Sequence, residues 1–472
     1  MNTSYDVRIW SIDPYRGKSR TTYRVRWVVA DKRFVSTFET RKLAESFRAK
    51  LLSAAREGVA FDEATGLSEP LARTKNSRSW YEHACAFVDM KWPNASPRHR
   101  KSIAESLATV TAALLASDRG KPDNDELRHA LYTWSFNTTA RRRTPSEAVD
   151  RAAQWASANT LSVADLADPA VMRRALDSLA VTLDGKTAAP TTIARKRAVF
   201  AGAVRYAGEL GLLDSNPLDK VRWKTPKSTE TVDRRVVVNH EQARRLLAAV
   251  RETHAPLEAF YACMYYAALR PAEALHLHAR DCVLPDEGWG ELLLTGSTQQ
   301  TGTAWNDNGA SRENRGLKHR ARADTRIIPA CPDLVTILRR HLDDFDTGPD
   351  GRLFVTRTGR FGRPVAGPYC NPVSTNTQSR VWQKAREKAL TPAEFASPLA
   401  GRPYDLRHAC VSTWLNAGVP APQVAEWAGH SVDVLMRVYA KCIYGQEEAA
   451  RKRIEAALKA DSDSDGIDAT GS

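Results

Sequence analysis

Apolar residues recur at every second position in Tyr5, Val7 and Ile9, again in Tyr23, Val25 and Trp27, and in the run Phe34, Ser36, Phe38. That alternation predicts three β-strands, with a hairpin turn expected at Asp31-Lys32. Thr40 is placed to cap a helix carrying Leu43, Ala44, Phe47 and Leu51 at helical spacing and stopping near Gly58. The result is a small sheet-plus-helix module over about residues 1–65. Arg8, Arg24, Arg26, Lys32 and Arg33 point largely off the opposite strand face. Such a face suits the tracking of phosphates and equally suits an ordinary solvated surface.

Gly66 to Ser79 is polar and aperiodic, which predicts a linker. From Trp80 to about Leu218 the period is helical, with breaks around Pro93–Pro97, Gly120–Asn124 and Gly185–Pro190. The last helix there, Thr191 to about Gly211, mixes Arg195, Lys196, Arg197 and Arg205 with Val199, Phe200, Val204 and Tyr206. A basic amphipathic helix of this kind can lie against a nucleic-acid backbone or simply present a solvated face. A basic, Pro-punctuated tether follows to about Arg235. Beyond it, helices are expected at His240–Val250, Leu257–Leu269, Pro332–Leu342, Ser379–Ala389, Leu406–Ala417, Pro422–Ala428 and Gln446–Lys459, and strands at Gly290–Leu294 and Thr325–Pro329. The whole reads as mainly α with small β-sheets, an α+β chain of 472 residues and several domains: 1–65, 80–225, 236–459, and an acidic disordered tail over 460–472. The tail's DSDSDG stretch imitates the start of a calcium loop, but the twelfth position is Ser472 rather than Glu, so no metal is assigned to it.

Composition narrows the function. Lys and Arg outnumber Asp and Glu by 69 to 55, for a formal charge of +14, which favours a polyanionic partner. The first residues show no basic stretch leading into an apolar one, and Leu257–Leu269, the longest apolar run, is too short to span a membrane. A cytoplasmic protein without membrane partners is expected. The cysteines, Cys85, Cys263, Cys282, Cys331, Cys370, Cys410 and Cys442, stand singly, which argues for reduced thiols rather than a zinc site or a disulfide framework.

Exchange of a phosphodiester needs a side-chain nucleophile, cations to balance the added transition-state charge, and an acid for the leaving oxygen. Three stretches supply such groups: AALRPAEALHL around Arg270, RPYDLRHACVSTWLNAGV around Arg407, and VAEWAGHSVDVLMRVYAK around His430 and Tyr439. Taken singly, an Arg on a helix is usually a surface residue and a Tyr usually core packing. The conjunction of types, contexts and order is what carries the reading.

Over roughly Val236–Lys459 these stretches resemble the signature boxes of the tyrosine recombinase (phage integrase) family, in its larger arm-binding form. The resemblance implies a catalytic domain preceded by a helical core-binding domain at 80–225 and an arm-type DNA-binding module at 1–65. It makes Arg270 and Arg407 the catalytic arginines, with Glu273 and His408 in support, and puts His430 in the histidine-or-tryptophan position. Tyr439, nine residues after His430, becomes the nucleophile in preference to Tyr444. The family's acid is a lysine between two strands, and Lys318 is the one lysine between Leu294 and Thr325, although a phosphate-contacting lysine in a basic loop fits it too. Where the second box usually opens with His, this chain has Tyr404, which can hydrogen-bond but cannot shuttle protons near neutral pH.

The implied activity is site-specific recombination by a phage or mobile-element integrase through a 3′-phosphotyrosyl link, without cofactor or metal. The implied partners are double-stranded DNA attachment sites, three further copies in a tetramer on DNA, and accessory bending or directionality proteins. A type IB topoisomerase-like relaxation enzyme and a noncatalytic DNA-binding regulator of the same fold are the competing readings.

Overall fold

Val25, Trp27 and Val29 line up on one face of a single strand because side chains alternate along it, and the helix that follows covers that face. In the computed structural model the described residues are 2–16, 21–68, 71, 78–182, 185–226, 231–317, 324–359, 363–442, 451–452 and 454–455. They fall into two compact units, Met1–Ser228 and Thr229–Ser472.

The first unit opens with β1 (Thr3–Ser4), β2 (Val7–Ile9), β3 (Asp13–Arg16), β4 (Thr21–Val29), β5 (Lys32–Phe38), α1 (Arg41–Arg56) and β6 (Phe61–Asp62). β2 and β3 pair antiparallel with the two ends of β4, β5 pairs with most of its length, and β1 pairs with β6. The β4–β5 turn sits one residue earlier than expected, on Ala30 and Asp31, both at positive φ, since Val29 and Lys32 close the ladder. Thr40 caps α1 by accepting from the Leu43 N–H, while Leu43 itself is exposed and Ala44, Leu51 and Ala54 form the buried stripe. On the outer face Arg26 pairs with Asp13, and the Arg24 guanidinium lies 3.4 Å from the Tyr15 ring centre.

The start of the expected linker packs onto the sheet module. Gly66, at φ +69°, brings its carbonyl to the Trp27 indole N–H, and Leu67 and Ser68 are buried. A Cβ on Gly66 would stand 2.3 Å from the Phe34 ring, so both the turn and the packing require glycine there.

A helical body follows: α2 (Trp80–Lys91), α3 (Pro97–Ala113), α4 (Asn124–His129) running into a π-turn at Ala130–Ser135, α5 (Glu147–Asn159), α6 (Pro169–Ser178) and α7 (Pro190–Glu209). Trp80 and Phe200 meet edge to face in its core. α7 corrects the expected basic face: Lys196 is fully buried, its ammonium donating to the Val181 carbonyl at 2.7 Å and to Thr109 at 3.2 Å, and Arg195 pairs with Glu105 at 3.1 Å. Two of the four cations on that helix therefore serve the fold, and Arg205 is exposed.

The second unit contains α8 (His240–His254), α9 (Glu258–Tyr266), α10 (Pro271–Ala274), β7 (Cys282–Val283), β8 (Gly290–Leu294), β9 (Ser297–Gln300), β10 (Arg312–Arg315), β11 (Arg326–Ala330), α11 (Pro332–Asp344), α12 (Thr375–Ala389), α13 (Pro392–Ala396), α14 (Asp405–Asn416), α15 (Ala421–Ala428) and α16 (Val432–Tyr439). One sheet has the order β11-β8-β7, and a separate antiparallel hairpin joins β9 and β10. Of these strands the sequence indicated only β8 and β11. β9 and β10 read STQQ and RENR, with no apolar alternation to betray them. α9 lies among buried neighbours and is itself almost wholly buried, with Phe260, Tyr261, Ala262, Cys263 and Met264 inaccessible. Residue 318, most of the expected helix 446–459, Tyr444 and the tail 460–472 lie outside the described residues. Among the described residues no helix is long and apolar enough to cross a membrane.

Gly66→Ala is expected to destabilise the N-terminal sheet by about 1–3 kcal/mol through backbone strain and overpacking. Native-state hydrogen exchange checks this: protection should fall at β4 and β5 amides and hold at those of α2 to α7.

Candidate active site

The segment after α9 turns sharply at Ala268, which takes a positive φ of 51°, and then runs extended through Arg270 into Pro271. Proline disfavours helix in the residue before it and suits the first position of the helix it begins, so Arg270 becomes the cap residue of α10. Glu273 folds back on that cap, accepting from the Arg270 backbone N–H at 2.8 Å and from its Nη1 at 2.7 Å. The R-P-A-E stretch is thus a capping arrangement that fixes an arginine.

Arg407, on the first turn of α14, is fully buried. It donates through Nη1 to the Ala268 carbonyl, and through Nη2 to the Ala428 carbonyl and to His430 Nε2, the last at 2.9 Å. α15 ends on Gly429 at φ +62°, with the His430 N–H returning to the Ala425 carbonyl at 2.9 Å. A Cβ on Gly429 would lie 2.0 Å from Arg326 Nη1, so glycine is required by contact as well as by conformation. Ser431 then caps α16, whose two turns carry the chain to Tyr439. The nine-residue spacing brings the Tyr439 ring alongside His430, with centroids 6.1 Å apart and planes within 29°.

Tyr439 is inaccessible to solvent, and its hydroxyl is hydrogen-bonded to His408 Nδ1 at 2.9 Å. Tyr404 stands edge-on to His408 at 5.1 Å and interacts with Arg270. Arg270, Glu273, Tyr404, Arg407, His408, His430 and Tyr439 therefore converge, while Lys318 lies outside the described residues. Sequence reading missed Arg326. It opens β11, is 2% exposed, and donates to Glu273 Oε2 at 2.9 Å. The signal was available, because Arg326, Ile328 and Ala330 share the buried face of an alternating strand, and a buried guanidinium demands a buried acid.

Charge follows from this geometry. Burial alone would raise the Glu273 carboxyl, but Arg326, Arg270 and Arg407 outweigh it and hold it at about 2. Burial lowers His430 to about 3, with Arg407, Arg270 and Arg326 acting in the same sense. Its Nε2 accepts from Arg407, so the neutral ring carries its proton on Nδ1. Burial raises the Tyr439 hydroxyl, and Arg407 only partly offsets this. His430 Nδ1, Arg326 Nε and Arg407 Nε are buried without a hydrogen-bond partner, so the site holds donors in excess of acceptors. Among the described residues no group of three or more His, Cys, Asp or Glu is arranged to hold a metal ion.

Residues 237–444, which include all of these groups, match the phage integrase family. Over that stretch the chain is similar to tyrosine recombinases of that family. A tyrosine recombinase XerC of Chlorobaculum parvum (strain DSM 263 / NCIMB 8327) is 27% identical over 274 residues, covering 51% of this chain and 66% of the relative. Among solved structures, the Tn1549 transposon integrase in complex with a circular intermediate DNA covers 67% of this chain and 96% of its own at 14% identity and a TM-score of 0.43. A lambda integrase tetramer bound to a Holliday junction covers 87% of this chain and 89% of its own at 13% identity and a TM-score of 0.40.

Removing one partner of a buried ion network leaves uncompensated charge, so Glu273→Gln in this integrase-family site is expected to cost about 3–5 kcal/mol in urea unfolding at neutral pH. Because Glu273 titrates lower in the folded chain than its ordinary 4.5, its contribution is complete above that pH and is lost as pH falls through about 2. The stability gap between wild type and variant should narrow across that window and be flat above it.

Proposed function

We propose that this chain is a site-specific DNA recombinase that cuts and rejoins strands through a tyrosyl–phosphate link. The observation that carries the proposal is the convergence of three guanidiniums, Arg270, Arg326 and Arg407, on the single carboxylate of Glu273 beside the Tyr439 hydroxyl. That cluster has a cationic excess and unpartnered donors, and a phosphodiester supplies the matching negative charge and nonbridging oxygens. A pentavalent phosphorus carries still more charge, so the same groups bind the transition state more strongly than the ground state.

In this reading the Tyr439 oxygen attacks the scissile phosphorus, a 3′-phosphotyrosyl bond forms, and the freed 5′-hydroxyl later attacks a partner strand. Arg270 and Arg407 grip the nonbridging oxygens, the His430 Nδ1–H donates a further hydrogen bond, Glu273 fixes the arginines, and Lys318 protonates the leaving oxygen. Tyr404 contributes a hydrogen bond. The ester energy is retained in the covalent link, so strand joining needs no nucleotide. Exchange between two duplexes involves four cleavages, which calls for a tetramer on DNA.

Residues 80–225 are assigned to clamping the duplex at the crossover site and residues 1–65 to arm-type sites, with the outer sheet face around Arg24, Arg26 and Arg33 meeting phosphates. The element served is a phage or other mobile DNA acting in the cytoplasm, with bending or directionality proteins as accessories.

A nicked duplex bearing the attachment site at the element's ends should trap a covalent adduct with wild type and none with Tyr439→Phe, as read on denaturing gels. Arg270→Lys and Arg407→Lys should each slow adduct formation by about 100-fold or more. Absence of an adduct with wild type on its own site, or an adduct with the Phe variant, sinks the proposal.

A further inference from the structure

We infer that His408 is the base that accepts the proton of Tyr439 during strand cleavage, taking over a task that Tyr404 cannot perform at the position where a histidine usually stands. This inference rests on the recombinase reading. The geometry is direct: His408 Nδ1 lies 2.9 Å from the Tyr439 oxygen, within the reach required of a general base, and the two rings tilt at 5.6 Å between centroids.

The other candidates for this proton are engaged or unsuited. His430 has Nε2 occupied by Arg407 and its proton on Nδ1, so it offers the tyrosine no lone pair. Tyr404 is a phenol, a poor base near neutral pH. The Cys410 thiol is raised by burial and stays protonated. The arginines are permanent cations.

His408 is also in the right form. Among the described residues, the charged and titratable groups bearing on it are Arg407, Arg402 and Tyr404 from its own segment and Tyr439 from α16. Burial, with Arg407 and Arg402 acting in the same sense, lowers it to about 4, so it is neutral at physiological pH, and its Nε2-protonated tautomer presents a lone pair to the hydroxyl. A base this weak does not extract a free tyrosinate. It accepts the proton as the Tyr439 oxygen–phosphorus bond forms, when the bound phosphate has offset the cations that disfavour an imidazolium.

The step balances. The Tyr439 O–H bond breaks and the proton passes to Nδ1, the oxygen–phosphorus bond forms, and the phosphorus–O5′ bond breaks. The 5′ oxygen takes a proton from the acid assigned to Lys318. Rejoining reverses each transfer, and His408 returns its proton to the phenol oxygen.

The test uses the full chain on the nicked duplex under single-turnover conditions, comparing wild type, His408→Gln and His408→Ala. Glutamine keeps an acceptor for the hydroxyl but cannot take a proton. Both variants should bind the duplex as wild type does in gel shifts and cleave about 100-fold or more slowly. A 5′-bridging phosphorothiolate, whose thiolate leaves without an acid, should not rescue them. Wild-type cleavage should fall with unit slope as acidification protonates His408. Cleavage by the glutamine variant within about threefold of wild type overturns the inference, as do rescue by the phosphorothiolate, faster cleavage by the alanine variant, or an absent acid limb in wild type, which remains readable if the variants misfold. If wild type forms no adduct at all, the recombinase reading itself has failed.

Discussion

One carboxylate holds the buried cluster of the second unit together. Glu273, 2% exposed, is bonded to Arg270 and Arg326 and lies 4.0 Å from Arg407. Through those three side chains it joins the turn after α9, the first residue of β11 and the start of α14, and the guanidiniums in turn hold the carbonyls of Ala268, Ala428 and Gly429. Charges taken this far out of water are costly unless every partner is in place. The arrangement is therefore close to all or none: the elements that bear the reactive groups pack correctly together or leave a buried ion exposed to nothing. Three cations against one anion leave the cluster with positive charge that the carboxylate alone does not balance.

The burial of Tyr439 follows from the same packing. Its ring lies in a cluster with Val424, Ala428 and Leu435, and Val232 closes the cluster while its N–H donates to the Val438 carbonyl at 2.9 Å. The end of α16 is thus held by the stretch of chain that opens the second unit. A phenol in water is a weak and unselective nucleophile. Here the hydroxyl is withheld from solvent and held by a single hydrogen bond to His408.

Much of this was legible in the residues because local rules and the fold agree. The alternation of Val25 and Trp27, the Thr40 cap and the breaks at Pro97 and Pro190 all describe elements that form as their patterns indicate. The boxes around Arg270, Arg407, His430 and Tyr439 were legible for a different reason: each is a tight local structure whose residue types are dictated by a cap, a turn or a left-handed glycine. What escaped was governed by tertiary partners. Lys196 reads as one more exposed cation until Val181 and Thr109 supply its acceptors, and the polar β9–β10 hairpin has no periodicity to show. α16 was hidden because only Leu435 and Tyr439 of its eight residues turn fully inward.

Arg326 shows where the two kinds of evidence meet. An inward-facing arginine on a strand beside Ile328 and Ala330 violates the local pattern, and the violation is resolved only by an acid five elements away in the chain. Local inconsistency of this kind is expected where a sequence serves chemistry as well as folding. Tyr404 is a second instance, since it departs from the motif without disturbing the helix it precedes, and its neighbour one turn on, His408, is the residue that meets the Tyr439 hydroxyl. The two departures have a common logic. The first adds a third guanidinium to the Glu273 cluster, and the second leaves His408, one turn further on, as the residue that meets the Tyr439 hydroxyl, with Arg407 between them.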